Sequence, residues 1–167
     1  MKLTEKVLSE LATNYVHLKE LELSLGGMEK TKKFLKAIGK GNSSLNKLKL
    51  ILDNHDVFET EEALYTSDQL VLTTFGELLG NNKISSLESL HIKYLLYYNQ
   101  PSWQSFMQGV SKNLTLKDLH IFTGTRPLND DDCIPVAEML KVNKILKCLE
   151  LIMKVIWEYL ERKLSIL

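Results

Sequence analysis

The sequence predicts an α/β solenoid in which about five parallel β-strands line one face and helices cover the other. The first observation is a leucine triplet that recurs five times, as HLKELEL, SLNKLKL, SLESLHI, TLKDLHI and ILKCLEL. The second is an apolar pair at helical spacing, followed by asparagine, just upstream of each triplet. The two motifs recur in phase, and self-similarity at such a period is the signature of stacked repeat units.

The composition is that of a folded domain with no preference for polyanions. The 167 residues suit one domain, 1–167, and 44% of them are hydrophobic and 25% charged. Leucine occupies 32 positions, which is high and needs a structural reason. The 21 basic and 21 acidic residues cancel, so bulk electrostatics favours neither nucleic acid nor an anionic membrane surface as a partner.

Neither end of the chain predicts a secretion signal or a membrane span. Glu5 and Glu10 interrupt the first apolar stretch, and charged residues break up LELIMKVIWEYLERKLSIL near the other end. A transmembrane helix needs about 20 mostly apolar residues. The two cysteines, Cys133 and Cys148, form neither a disulfide framework nor a metal-type spacing. We therefore expect no cofactor and a location in the reducing cytoplasm.

The spacing of the triplets defines the repeats. Their first leucines lie 27, 42, 29 and 30 residues apart, at Leu18, Leu45, Leu87, Leu116 and Leu146. The long interval indicates an insertion within residues 53–70, and the repeats are expected to start near residues 16, 43, 85, 114 and 144. In L-x-x-L-x-L the last two leucines point to one side of a strand and the residues between them to the other.

The second motif predicts a helix before each strand. Its members are Val7, Leu11 and Asn14; Phe34, Ile38 and Asn42; Phe75, Leu79 and Asn82; Phe106, Val110 and Asn113; Val136, Leu140 and Asn143. A spacing of four places both apolar side chains on one helical face. Asparagine tolerates the left-handed conformation that ends a helix, and it caps carbonyls or turn amides.

Three segments depart from the regular unit. Residues 1–14 predict an N-terminal helix without a preceding strand. In the insertion we expect an extended loop, with or without a short helix, before a helix around Ser67–Leu79. The row Ile152, Ile156, Leu160 and Leu164 predicts a terminal helix.

Stacking of such units buries both the leucines and the helix stripes, and the combination resembles a leucine-rich repeat protein of the ribonuclease-inhibitor-like subclass. The resemblance covers essentially residues 7 to 167. It implies a non-enzymatic module that binds a protein partner through its concave β-face and adjacent loops.

One stretch of the sequence suggests a second possible function. GTRPLNDDDCIPVAEMLKVNKILKCLEL is similar to repeats of tropomodulin-type actin regulators, which implies regulation of actin filaments, and also to repeats of innate-immune receptors. A structural repeat segment with flanking repeats, packed inside a larger receptor or assembly, is a further alternative.

The residues between the strand leucines predict the binding surface. We expect them in three columns: Glu20, Lys47, Ser89, Asp118 and Cys148; Glu22, Lys49, His91, His120 and Glu150; Ser24, Ile51, Lys93, Phe122 and Ile152. Ile51, Phe122 and Ile152 are apolar where solvent is expected, which is typical of a protein-binding hot spot. The predicted partner-binding residues are Glu22, Lys49, Ile51, His91, Lys93, His120, Phe122 and Ile152. The alternative is that these columns only keep the sheet soluble.

The aromatic side chains of the third repeat's loop leave two interpretations open. Tyr94, Tyr97, Tyr98 and Trp103 either extend the binding patch along the rim or pack in the core.

Other candidate chemistries are weaker than their structural alternatives. His91 and His120 stand on adjacent strands at a spacing that a shared metal needs, but two further ligands are missing and Lys93 lies on the same face. The run Asn129 to Asp132 lacks the EF-hand pattern and predicts a helix cap instead. The sequon at Asn113 falls on a repeat position with a structural duty. With no nucleophile–base set evident, we expect no enzyme.

Overall fold

Strands and helices alternate along the chain. The computed structural model describes residues 17–25, 28–41, 44–52, 61–95, 98–123 and 129–153. Within these ranges the elements are β1 Glu20–Leu25, α1 Met28–Gly41, β2 Lys47–Leu52, α2 Glu61–Gly80, β3 Ser89–Leu95, α3 Gln100–Lys112, β4 Asp118–Thr123, α4 Asp130–Val142 and β5 Cys148–Met153.

The five strands form one parallel sheet in the order β1-β2-β3-β4-β5. Its register aligns one leucine from each triplet in a single ladder across the sheet, at Leu21, Leu48, Leu90, Leu119 and Leu149. The predicted parallel stacking of the five triplets is therefore confirmed.

The strand entrances repeat one hydrogen-bond pattern. The carbonyl of Lys19 accepts the backbone N–H groups of Asn46 and Lys47, at 2.7 and 2.9 Å. The carbonyls of Asn46, Glu88 and Lys117 do the same for the next strands. Each unit therefore sets the position of its successor through main-chain bonds, whatever the side chains are.

The core lies between the sheet and the helices. Alternate strand residues such as Leu50, Ile92 and Ile121 are fully buried. The apolar helix pairs that begin at Phe34, Phe75 and Phe106 are buried with them. Crossovers between successive parallel strands are right-handed as a rule, which places the described helices on one side of the sheet. The other side of the sheet, which carries the intervening residues, is called the open face below.

The asparagines at the helix ends perform the predicted duties in two ways. Asn82 takes the left-handed conformation, with φ of 50°. Asn113 and Asn143 stay extended, and their side chains bridge neighbouring units. The amide nitrogen of Asn113 donates to Leu79 O at 3.2 Å, and that of Asn143 donates to Val110 O at 2.7 Å. These contacts give the Asn113 sequon a structural role.

The contact between α2 and α3 depends on glycine. A Cβ atom on Gly76 would lie 2.6 Å from the carbonyl oxygen of Ser105, and one on Gly109 would overlap the backbone of Gly76. A side chain at either position would force the two helices apart, because the obstacle is backbone and cannot rotate away.

The polar side chains ahead of α3 and α4 cap these helices. Asn129 Oδ1 accepts the N–H of Asp132 at 2.9 Å, while Asp132 Oδ2 accepts the N–H of Asn129 at 3.0 Å. This reciprocal capping box confirms that the acidic run serves the helix start. Asn99 caps α3 by accepting from Ser102 N at 2.9 Å.

Two details of the predicted repeat helices were wrong. The helix of the second unit begins at Glu61, earlier than the expected Ser67, because its opening sequence EEALYTSDQL contains no glycine or proline to delay it. Leu140, expected on the core side of α4, is 48% exposed, since α4 is the last described helix and no described helix packs beyond it.

Several sequence-based expectations fall outside the described residues: the N-terminal helix over 1–14, Asn42 and the terminal helix from Ile156 onward. Ile152, the expected first member of that helix row, lies in β5 instead. None of the helices in the described part of the chain is both long and apolar enough to cross a membrane.

Candidate partner-binding face

The open face brings all eight predicted partner-binding residues onto one surface. They occupy the middle column and the third column of the sheet. The strand pairs β1–β2, β2–β3 and β4–β5 have the register that the sequence predicts. The third column, consisting of Ser24, Ile51, Lys93, Phe122 and Ile152, is called the edge strip below. Its four members from Ile51 onward are half-buried, so part of each side chain is accessible.

Ion pairs tie β1 to β2 along the open face. Lys47 Nζ lies 2.9 Å from Glu20 Oε1, and Lys49 Nζ lies 2.7 Å from Glu22 Oε1. The members of each pair are neighbours in the columns that the sequence predicts. Hydrogen bonding to the Glu20 carboxylate raises the pKa of the Lys47 ammonium above its ordinary value. Because both pairs are solvated, they orient side chains more than they stabilise the fold.

The two histidines stack on each other. The rings of His91 and His120 lie 4.1 Å apart between centroids with an interplanar angle of 22°. Nδ1 of His120 lies 2.5 Å from Oε2 of Glu150, so the imidazole is oriented by the neighbouring strand. In the ranges that the structure covers, no three His, Cys, Asp or Glu side chains are grouped as a metal ion requires.

His91 has a different electrostatic environment from its neighbour. Partial burial lowers the pKa of its imidazole below the ordinary 6.5, and the nearby His120, Lys49 and Lys93 lower it further, while Asp118 acts in the opposite direction. His91 is therefore predominantly neutral at neutral pH.

A bulge displaces Lys93 from simple register. The β3–β4 pairing shifts between Ile92 and Leu95, so that Leu95 pairs with Thr123. Lys93 is thus not directly opposite Phe122, as a strict repeat predicts. Its ammonium lies over the Phe122 ring instead, 5.3 Å from the centroid, within the range of a cation–π interaction.

A shallow depression lies over the first and middle columns of the open face, between β1 and β4. It has a volume of about 560 Å³ and extends from the Glu–Lys pairs of β1 and β2 to the two histidines. Ser89 and Asp118 line it as well, although neither was among the predicted partner-binding residues. Both belong to the first predicted column, so their position in the repeat is the signal that could have included them.

Of the four aromatic side chains singled out in the third unit, two pack in the core and two are not described by the structure. Trp103 is fully buried and Tyr98 is 5% exposed, so these two pack in the core and do not extend the patch. Their rings contact each other at 5.3 Å between centroids, and the indole N–H of Trp103 donates to Asp132 O at 2.9 Å. Tyr97 and the side chain of Tyr94 lie outside the described part of the chain.

The fold has a counterpart among solved structures. No protein-family model matches the chain, and no curated protein matches its sequence. A solved structure titled "Leiomodin-1 Actin-Binding Site 2 (ABS2)" is similar to it, with a TM-score of 0.61 and 17% sequence identity. The match covers 93% of this chain and 83% of that chain. At this level of identity the likeness shows a shared fold.

Proposed function

We propose that the chain is a non-enzymatic protein-interaction module that binds a protein partner through the open face of its sheet. The observation that carries this proposal is the presence of Ile51, Phe122 and Ile152 on the side of the sheet that the helices do not cover. Partly accessible apolar and aromatic side chains among charged ones are the usual centre of a protein interface.

The construction of the face suits recognition. Its backbone is held by the parallel ladder, and the Glu–Lys pairs, the stacked histidines and the Lys93–Phe122 contact position the side chains in advance. A surface that is ordered before binding loses less conformational entropy when a partner docks. The proposal includes a sheet that curves into an arc with this face concave, as in the ribonuclease-inhibitor-like subclass of leucine-rich repeats.

Actin is the second candidate, favoured by the similarity to a structure whose title names an actin-binding site. In that case the chain would act on actin filaments, and the open face or the outer helix surface would make the contact. Both cysteines are free thiols, which is compatible with the cytoplasm that we propose as the location.

Affinity capture with matched variants tests the proposal. The Phe122→Asp, Ile152→Lys double variant places charges on two apolar positions of the edge strip. Leu114→Asp is the control, because Leu114 is 67% exposed and lies in the turn after α3. We expect capture from a cytoplasmic extract to lose specific proteins with the double variant and to keep them with the control, both variants having wild-type circular dichroism. Identical captured sets would refute binding through this face.

Purified actin separates the second candidate from the first. Co-sedimentation with filaments and the rate of filament growth are measured with the full chain and with the double variant. Unchanged growth and no sedimentation would dismiss actin and leave the interaction proposal intact. Binding that the double variant retains would assign actin to a surface other than the edge strip.

A further inference from the structure

The edge strip has a charge pattern unlike the rest of the open face. Lys93 is its one charged residue, and the other four members are apolar or uncharged. The carboxylates of the open face lie in the other two columns, where Glu20 and Glu22 pair with lysines and Glu150 with His120. Along the strip itself the fixed charge is therefore positive.

Lys93 keeps donors for a partner. Among the described residues its ammonium contacts an aromatic ring, at 5.3 Å from the centroid of Phe122, whereas Lys47 and Lys49 contact carboxylates. An ammonium has three N–H donors, and attraction to a ring face leaves them able to bind an oxygen acceptor. A carboxylate arriving beside Phe122 would meet a cation whose position is already set.

His91 adds a conditional charge next to this cation. The charged and titratable groups around it are Lys49 on β2, Lys93 on its own strand, and Asp118 and His120 on β4. Three of these four oppose its protonation. A partner carboxylate would favour the protonated form, which adds a second positive charge beside Lys93 when the pH falls.

We propose that the edge strip binds an acidic, apolar segment of a protein partner, with an apolar side chain against Phe122 and Ile152 and a neighbouring carboxylate on Lys93. This deepens the proposed function, on which it rests, by naming the chemistry of the partner. The recognition is local: the apolar contact supplies the buried area, and the carboxylate distinguishes this partner from a basic one of the same hydrophobicity.

A displayed library of random peptides tests the chemistry, because it offers acidic, basic and apolar segments to the face in equal measure. The full chain is the bait at about pH 7.5, and peptides that also bind the uncharged Phe122→Ser variant are discarded. We expect the remaining peptides to carry Asp or Glu beside an aromatic or branched apolar residue. One enriched peptide is then synthesised for measurements of affinity.

Charge variants then locate the carboxylate. Lys93→Gln is expected to weaken the selected peptide about tenfold, as removal of a charge-assisted hydrogen bond does. Lys47→Gln is the matched control, since Lys47 is already bound to Glu20, and its effect is expected to stay below about twofold. Lowering the pH to about 6 should tighten binding several-fold in the wild type and not in His91→Gln.

The outcomes separate this inference from the proposed function. Enriched peptides that are basic or uncharged, and still sensitive to Phe122→Ser, would overturn the acidic partner and leave binding by the open face standing. Equal effects of Lys93→Gln and Lys47→Gln would overturn it as well. If no peptide depends on Phe122, the inference fails, and the capture experiment decides separately whether the face binds a folded protein.

Discussion

Replacement of Asn113 by alanine should weaken both the turn that leads into the fourth unit and the link to the second unit. The Asn113 side chain is buried, and its oxygen accepts the backbone N–H groups of Thr115 at 2.9 Å and of Leu116 at 2.7 Å. Its nitrogen donates to Leu79 O, which also accepts the N–H of Asn82 at 3.1 Å. Alanine therefore deprives two amides of this acceptor, while Leu79 O keeps one bond.

The magnitude follows from those two amides. A buried donor left unsatisfied costs about 1–3 kcal/mol. The Leu116 amide is buried and the Thr115 amide is partly buried, so together they are expected to lower the free energy of unfolding by about 3 kcal/mol. For a domain of this size, that corresponds to a fall in Tm of about 6–12 °C. Loss of the bond to Leu79 adds a smaller amount, because its oxygen is still paired.

Urea unfolding followed by circular dichroism measures the effect. Ser111→Ala is the control, since its hydroxyl donates to Gln108 O at 2.8 Å in an exposed position, and we expect its removal to cost less than about 0.5 kcal/mol. Asn113→Ala should lower the midpoint with an unchanged slope. A cost below about 1 kcal/mol, or one equal to that of Ser111→Ala, would refute the assignment of a bridging role to Asn113.

Two further predictions concern the helix contact and the histidine stack. Gly109→Ala should destabilise the fold by about 3 kcal/mol in the same assay, because the added Cβ meets the backbone of Gly76. Gly39→Ala is the control and should cost less than about 1 kcal/mol, because its Cβ meets only the movable end of the Leu78 side chain, at 2.5 Å. Equal costs for the two variants would contradict this prediction. The pKa of folded His91 lies below its ordinary value of 6.5, so its contribution to stability is complete above about pH 6.5 and is lost as the pH falls through the folded pKa. Tm should therefore decline on acidification, and it should decline less in His91→Gln. Parallel pH profiles of Tm for the two proteins would contradict this prediction.

Because the leucine triplet recurs, the position of a residue within its triplet predicts much of its place in the fold. A strand side chain has only two directions, so the phase of Leu48 or Leu119 within its triplet decides which side faces the core. The same phase places Lys49 and His91 on the open face and aligns them with neighbours from other units. The Glu–Lys pairs were predictable for this reason, although their members lie 27 residues apart in the sequence.

The features that the sequence could not predict depend on contacts between distant parts of the chain, which no local pattern encodes. The periodicity of Trp103 and Tyr98 is compatible with either a rim or a core, and the choice is made by the packing of α3 against α4, where Asp132 O accepts the indole N–H. Leu140 has the spacing of a core residue, but burial also requires a covering element on its outer side.

Among the strands that the structure describes, one break in register occurs, and it coincides with the edge strip. β3 has seven residues where each of the other four strands has six, and the irregularity begins after Ile92. Bulges re-aim side chains and are frequent beside functional sites. Here the shift accompanies the placement of Lys93 over the ring of Phe122. The regular ladder of the sheet alone explains the Glu–Lys pairs of β1 and β2. It does not explain an aromatic ring and a cation in contact at a bulge. This difference favours the edge strip over the regular columns as the place where a partner docks.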